Sequence, residues 1–275
     1  MSSVTDSHLK GGTELSEDAR NFSVKDRVVL VTGSGQGIGR EQVRQFSAAG
    51  AIAVVADLSM QHAQTVVAEI EASGGKALAL QVDVSKKVSV DAMVRAALEK
   101  YGRIDVLINN ASLFSTLTKR PFDEIPATEW QKVMDVNING PFFCAAAVAT
   151  SMRDKGFGRI INISSDSVHR GTKNYLHYVT SKSALIGMTN SLARELGPHG
   201  ITANCIRPGT VATEVAERVA SLTPEVRQRN IDLQCIPRTI VPSDLVGLAM
   251  FLSTSAAAFI TGQTIACDAG YTHSF

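Results

Sequence analysis

The chain has 275 residues, 44% hydrophobic and 19% charged, the balance of a folded globular protein rather than a disordered one. Lysine and arginine number 27 against 26 acidic residues, and the formal net charge of +1 is spread along the chain, which argues against a nucleic-acid-binding face. The four cysteines, Cys144, Cys205, Cys235 and Cys267, stand far apart with no C-x-x-C pair, so no metal site is expected and the thiols read as small buried hydrophobes.

Residues 1–24 are polar and contain Ser and Gly. They lack the apolar core of a signal sequence and read as a flexible extension. No later stretch approaches the ~20 uninterrupted apolar residues of a membrane span; the expectation is a cytoplasmic protein with no membrane partner. From residue 25 strands and helices alternate. Short apolar runs at 27–33, 51–57, 76–84, 104–110, 158–165, 200–209 and about 262–268 have the look of strands buried on both faces. Between them, helical spacing covers 38–50, 60–75, 89–102, a long segment from about 128 to 152, a segment around 175–197, and one near 243–254. This order predicts an α/β fold: one Rossmann-type, doubly wound, mainly parallel sheet with helices on both faces, in a single domain over 25–275.

Where the first strand hands over to the first helix the sequence reads "TGSGQGIG", residues 32–39. Strict G-x-G-x-x-G spacing is absent; G-x-x-x-G-x-G, through Gly33, Gly37 and Gly39, is present. Glycines there let the backbone approach a ligand, and the helix start behind them offers free N–H groups to a pyrophosphate. Gly33, Gln36, Gly37, Ile38 and Gly39 are therefore candidate cofactor contacts. Asp57 ends the second strand, where a carboxylate can accept from both adenosine ribose hydroxyls and would repel a 2′-phosphate. Leu58 and Ser59 follow it and Gln36 precedes Gly37, with no Arg or Lys among them. The reading is NAD rather than NADP. Asp83 and Val84 are placed to meet the adenine, and Asn110 and Ala111, in "NNA" (109–111), fall where the sheet's winding reverses.

Further on, "HYVTSKSAL" (177–185) sets Tyr178 four residues before Lys182, on one face of a helix. Hydride transfer makes or consumes an alkoxide, so a proton donor must stand beside the nicotinamide. Tyr178 suits that role if its pKa, near 10 unperturbed, is lowered; Lys182 supplies a charge that favours phenolate. Ser165, closing "ISS" (163–165), is expected to orient the substrate oxygen, with Ser164 as the neighbouring alternative. The side chain of Asn137, in "DVNING" (135–140), could hold a water linking Lys182 to solvent.

These residues, in this order, resemble the short-chain dehydrogenase/reductase family over about residues 25–271. The resemblance is carried by residues 32–39, Asp57, Asp83-Val84, Asn109-Asn110-Ala111, Asn137, Ser165, Tyr178 and Lys182, and continues in "NCIRPGTVAT" (204–213) and "FITGQTIACDAG" (259–270). It implies Tyr178 as acid/base, Ser165 for substrate orientation, Lys182 on the ribose and Asn137 in a proton relay. It also implies that Pro208, Gly209, Val211 and Thr213 bind near the nicotinamide carboxamide, and that the chain assembles as a homotetramer. Two departures stand out: Ser112 where the family has the glycine of NNAG, and "CDAG" in place of DGG.

The expected activity is NAD-dependent interconversion of a secondary alcohol and its ketone. The alternatives are a 3-oxoacyl-carrier-protein reductase and a non-catalytic dinucleotide-binding scaffold. Of the remaining residues, His177 points about 100° from Tyr178 and reads as exposed or packing. Arg170, beside His169, either meets an acidic substrate group or is a solvated loop charge. Trp130 reads as a helix anchor, Cys205 and Cys267 as inert core. Residues 212–236 read as a mobile substrate cover with Arg218, Arg227 and Arg229 facing solvent.

Overall fold

Seven runs rich in Val, Ile, Leu and Ala form β1 (Val28–Thr32), β2 (Ile52–Asp57), β3 (Lys76–Gln81), β4 (Val106–Asn109), β5 (Gly158–Ile163), β6 (Ile201–Pro208) and β7 (Thr264–Cys267). The structure, a computed structural model, describes residues 22–219 and 222–273. Within these residues the strands lie in the order β3-β2-β1-β4-β5-β6-β7, with every neighbouring pair parallel. The inner strands β1, β4, β5 and β6 are buried at every position, whereas the edge strands β3 and β7 are only half-buried. That is why the inner strands carry no alternation of apolar and polar residues.

The helices are α1 (Gly37–Ala48), α2 (Met60–Ala72), α3 (Lys87–Tyr101), α4 (Ala127–Met134), α5 (Gly140–Lys155), α6 (Ser167–Arg170), α7 (Leu176–Leu196), α8 (Glu214–Glu217), α9 (Pro224–Asp232) and α10 (Ser243–Leu252). Each face of the sheet has its own core. Val29, Val31 and Val55 pack with Phe46 of α1, Ile70 of α2 and Leu245 of α10. Val28, Leu30 and Val54 point the other way, onto Met93 of α3, Val148 of α5 and Leu196 of α7. Successive residues of β1 thus feed opposite cores, as the two-residue period of a strand requires.

Several boundaries differ from those expected. The extension predicted over residues 1–24 lies outside the described residues except for its last three. Of these, Val24 is buried in the core, so the fold starts before residue 25. Strand β3 stops at Gln81, which leaves Asp83 and Val84 in the following loop. The single helix expected over 128–152 is instead α4, a π-helical turn at Asp135–Asn139, and α5. Pro141 stands in the first turn of α5; it has no N–H to bond to the carbonyl four residues back, and the ladder widens there.

The two family departures have different consequences. Ser112 takes no left-handed φ, so serine is tolerated there, but Ala269 sits at φ +58°, a conformation suited to glycine. Ala269→Gly is expected to raise stability by about 1 kcal/mol, read as a higher denaturant midpoint at unchanged slope.

Candidate active site

The order of the sheet reverses between β1 and β4: chain leaving β1 goes to β2 on one side, and the later strands stack on the other. At such a switch point the loops diverge and leave a crevice beyond the strand ends. A cavity of about 900 Å³ opens there. Its lining includes Gly33, Gln36, Gly37, Ile38, Asp57, Leu58, Asp83, Val84, Asn110, Ala111, Ser165, Tyr178, Lys182, Pro208, Gly209, Val211 and Thr213. Gly39 and Asn137, also expected at the site, stand behind this wall and support it.

The glycine turn and the β4 end are locked together. Asn110 Nδ2 donates to the carbonyls of Thr32 and Gly33, both at 3.0 Å, and the N–H groups of Asn110 and Ala111 donate to Thr32 Oγ1 at 3.2 and 3.1 Å. A Cβ on Gly39 would lie 2.5 Å from the Gly33 oxygen and 2.6 Å from Asn110 Nδ2; one on Gly33, at φ +63°, would lie 2.8 Å from Ala111 Cα. Glycine is required at both positions for the turn to close. Thr32, which ties the two loops through one hydroxyl, was not singled out from sequence.

Asp57 is buried at the rim of the crevice. Its Oδ2 accepts from Gly35 N at 2.8 Å and its Oδ1 from Ser59 N at 2.9 Å, which fixes the carboxylate while leaving lone pairs for hydroxyl donors. Leu58 beside it is 67% exposed. Asp83 Oδ1 caps its own loop, accepting from Ser85 N and Oγ at 3.0 and 2.6 Å. Val211 bridges to Ile240, and Thr213 Oγ1 accepts from Ala216 N at 2.9 Å, capping α8.

The expected catalytic residues converge from β5 and α7. Ser164 Oγ is buried and donates to the Lys182 carbonyl at 2.8 Å, so of the two serines it is the structural one. Ser165 Oγ donates to Asp166 Oδ1 at 3.4 Å and accepts from Ser167 N at 3.2 Å, and its hydroxyl works to lower the pKa of the Tyr178 phenol. Lys182 Nζ donates to the Ile163 carbonyl at 2.8 Å and lies 5.8 Å from the centre of the Tyr178 ring.

Three sequence expectations need correction. The pKa of Tyr178 is not lowered in the protein alone. Burial dominates and drives the phenol above its ordinary value, and burial also pushes the lysine down to about 8. Nor is the Asn137 side chain free to hold a water. It is fully buried, its Oδ1 accepts from Leu113 N at 2.7 Å, and its Nδ2 donates to Leu113 O at 3.2 Å and Ser181 Oγ at 3.0 Å. Asn137 therefore fastens the loop after β4 to α7. Finally, Cys235 is exposed, unlike buried Cys144 and Cys205, while Cys267 is half-buried; all four thiols are free. No cluster of metal ligands occurs among the described residues.

His177 is buried against Tyr175, with Nε2 3.2 Å from Glu129 Oε1, so it packs and is not exposed. Trp130 is half-buried on α4. Arg218 and Arg229 are exposed as expected, but Arg227 is half-buried and donates to the carbonyls of Leu222 and Ala216. Side-chain pairing to carbonyls of that kind leaves no periodic signal in the sequence. Nor does the contact of Glu214: its Oε1 accepts from Gly37 N at 2.8 Å. A carboxylate of the chain thus occupies a donor at the start of α1, which demonstrates that this turn accepts an anionic oxygen, as a bound pyrophosphate would require.

A glycine-turn crevice at the switch point of a parallel sheet, with a phenol and an amine at its far end, defines a nicotinamide-dinucleotide oxidoreductase. The sequence pattern of the family described as Enoyl-(Acyl carrier protein) reductase matches residues 33–272. A 3-oxoacyl-[acyl-carrier-protein] reductase of Synechocystis is 39% identical over 249 residues, 89% of this chain and 96% of that protein. A galactitol 2-dehydrogenase of Agrobacterium fabrum is 35% identical over 257 residues, 90% of this chain and 98% of that protein. Among solved structures, a 7α-hydroxysteroid dehydrogenase complexed with NADH and 7-oxo glycochenodeoxycholic acid superposes with a TM-score of 0.86 at 31% identity, covering 91% of this chain and 96% of that one. The chain belongs to the short-chain dehydrogenase/reductase family of oxidoreductases. No helix among its described residues is long and apolar enough to cross a membrane.

A pyrophosphate held at this turn would compete with Glu214 for Gly37 N–H and be repelled by its charge. Glu214→Gln is therefore expected to tighten NADH binding by about fivefold, measured by fluorescence titration at low ionic strength.

Proposed function

We propose that the protein is an NAD-dependent dehydrogenase/reductase that interconverts a secondary alcohol and its ketone, with Tyr178 as general acid/base. The observation that carries this reading is the placement of Ser165, Tyr178 and Lys182 on one wall of the crevice that begins at the glycine turn and Asp57. When bound, the dinucleotide supplies the hydride chemistry. The start of α1 holds its pyrophosphate, and Asp57 accepts from its ribose hydroxyls and disfavours a 2′-phosphate. Pro208, Gly209, Val211 and Thr213 lie along the same cavity toward the nicotinamide end.

In the oxidative direction Tyr178 phenolate takes the alcohol proton while Ser165 holds the same oxygen. In the reductive direction the phenol returns it. Burial makes phenolate costly, and the opposing influences are the Ser165 hydrogen bond and positive charge brought close to the ring. Lys182, with a pKa of about 8, is still cationic at neutral pH and one helical turn away. The apolar residues Ala216, Val219 and Leu222, contributed from 212–236, roof the cavity, which supports a covering role for that segment. Homotetrameric assembly through α5 and α7 belongs to the same reading; Phe142 and Leu176 on those helices are exposed.

Tyr178→Phe is expected to reduce turnover by about 10³-fold or more while NADH binding stays near wild type. A variant with normal turnover would overturn the assignment. Because the base form is needed for oxidation and the acid form for reduction, kcat/KM for alcohol oxidation should rise with pH through the alkaline range and that for ketone reduction should fall. Lys182→Met should move both limbs further alkaline. A steady-state preference for NADPH over NADH would count against the role given to Asp57. It would favour the second reading, reduction of 3-oxoacyl groups on a carrier protein, which the Synechocystis relative supports.

A further inference from the structure

Beyond Tyr178 the cavity wall is aromatic. The rings of Phe114 and Tyr175 lie 5.2 and 5.1 Å from that of Tyr178, and Tyr175 OH donates to the Phe114 carbonyl at 3.1 Å. Past this wall stand two cations that line the same cavity as Ser165 and Tyr178: Lys119, from the loop after β4, and Arg170, at the end of α6. Lys119 Nζ lies 5.7 Å over the Tyr175 ring, and no carboxylate pairs with it among the described residues. Arg170 lies 4.9 Å over the Tyr271 ring. Its Nη2 donates to Asp166 Oδ1 at 3.0 Å, while its Nε has no acceptor, and neither has the nearby Thr172 Oγ1.

The acids around these cations leave Lys119 without a carboxylate partner among the described residues. Glu129 is paired with Arg120, and Asp268 accepts from Gly270 N and from Thr272. Asp166 serves Arg170 alone among the cations. Lys119 loses basicity to burial, and the charge of Arg170 adds to that loss, so the two cations repel one another across the cavity mouth. Like charges gathered on one wall of a site cost energy that an anion placed between them recovers. Apart from its place over the Tyr175 ring, Lys119 is an exposed residue at the cavity.

We infer that the substrate carries a carboxylate, held by Lys119 and Arg170, on an apolar body that lies against Phe114 and Tyr175, so that the ketone form is an oxo acid and the alcohol a hydroxy acid. The inference rests on the reading of Tyr178 as the acid/base of a carbonyl–alcohol interconversion. Arg170, held by Asp166 over Tyr271, is the fixed half of the clamp, and Lys119, on its loop, the adjustable half.

The test compares ketones that differ only in the carboxylate: 3- and 4-acetylbenzoate against acetophenone, and 5-oxohexanoate against 2-hexanone, each with NADH. At least one carboxylate is expected to exceed its neutral partner by about tenfold in kcat/KM, mostly through KM. Lys119→Gln should shrink that ratio toward one, and Lys119→Glu should invert it. If the neutral ketones are reduced as well as the carboxylates, or if the ratio ignores both Lys119 variants, the carboxylate subsite is wrong while the alcohol–ketone reading stands. If none of the five ketones is reduced, that underlying reading falls and the subsite with it.

Discussion

The close approach of two backbones, at Gly33 and Ala111, holds the rest of this structure in place. The glycine turn leaves β1 and Asn110 leaves β4, and the two are hydrogen-bonded across the switch point through Asn110 Nδ2 and Thr32 Oγ1. With those loops clasped, the start of α1 faces the crevice, and so do the ends of β2, β5 and β6. Buried amide hydrogen bonds of this kind cost little net energy when satisfied and a great deal when broken, so the clasp sets geometry more than it adds stability.

A second set of bonds carries that geometry to the chemical end. Asn137, in the π-helical turn, ties Leu113 to Ser181, so the loop that follows the clasp is anchored to the helix that bears Tyr178 and Lys182. Ser164 joins the end of β5 to the same helix at the Lys182 carbonyl. The helix that carries the phenol is therefore tied from two sides, by Asn137 and by Ser164. Holding it in a buried site has an electrostatic cost, visible in the raised pKa of the phenol and the depressed pKa of the lysine. Catalytic sites commonly accept that cost in exchange for fixed geometry and strong local fields.

The sequence made the architecture legible because the buried strands and the punctuating glycines are local signals. "RVVLVTG" can hardly be other than an inner strand ending in a turn, and Tyr178 and Lys182 share a helix face by spacing alone. Boundaries were less legible: Asp83 lies beyond β3 because the last three residues of the strand-like run 76–84 leave the ladder. The π turn was hidden because Pro141 reads equally well as the start of a new helix. What could not be read were contacts between distant segments, such as Thr32 with Ala111 and Asn137 with Leu113. The sign of the pKa shift at Tyr178 was missed for the same reason: charge is written in the sequence, whereas burial emerges only when α7 packs against its neighbours.

The carboxylate of Glu214 on Gly37 has a bearing on the catalytic cycle. A phosphate bound at the same N–H would replace one oxyanion by another, so that donor would keep an anionic partner with or without a dinucleotide. Because α8 begins at this very residue, a displaced Glu214 would act on the segment that supplies Ala216 and Val219 to the cavity wall.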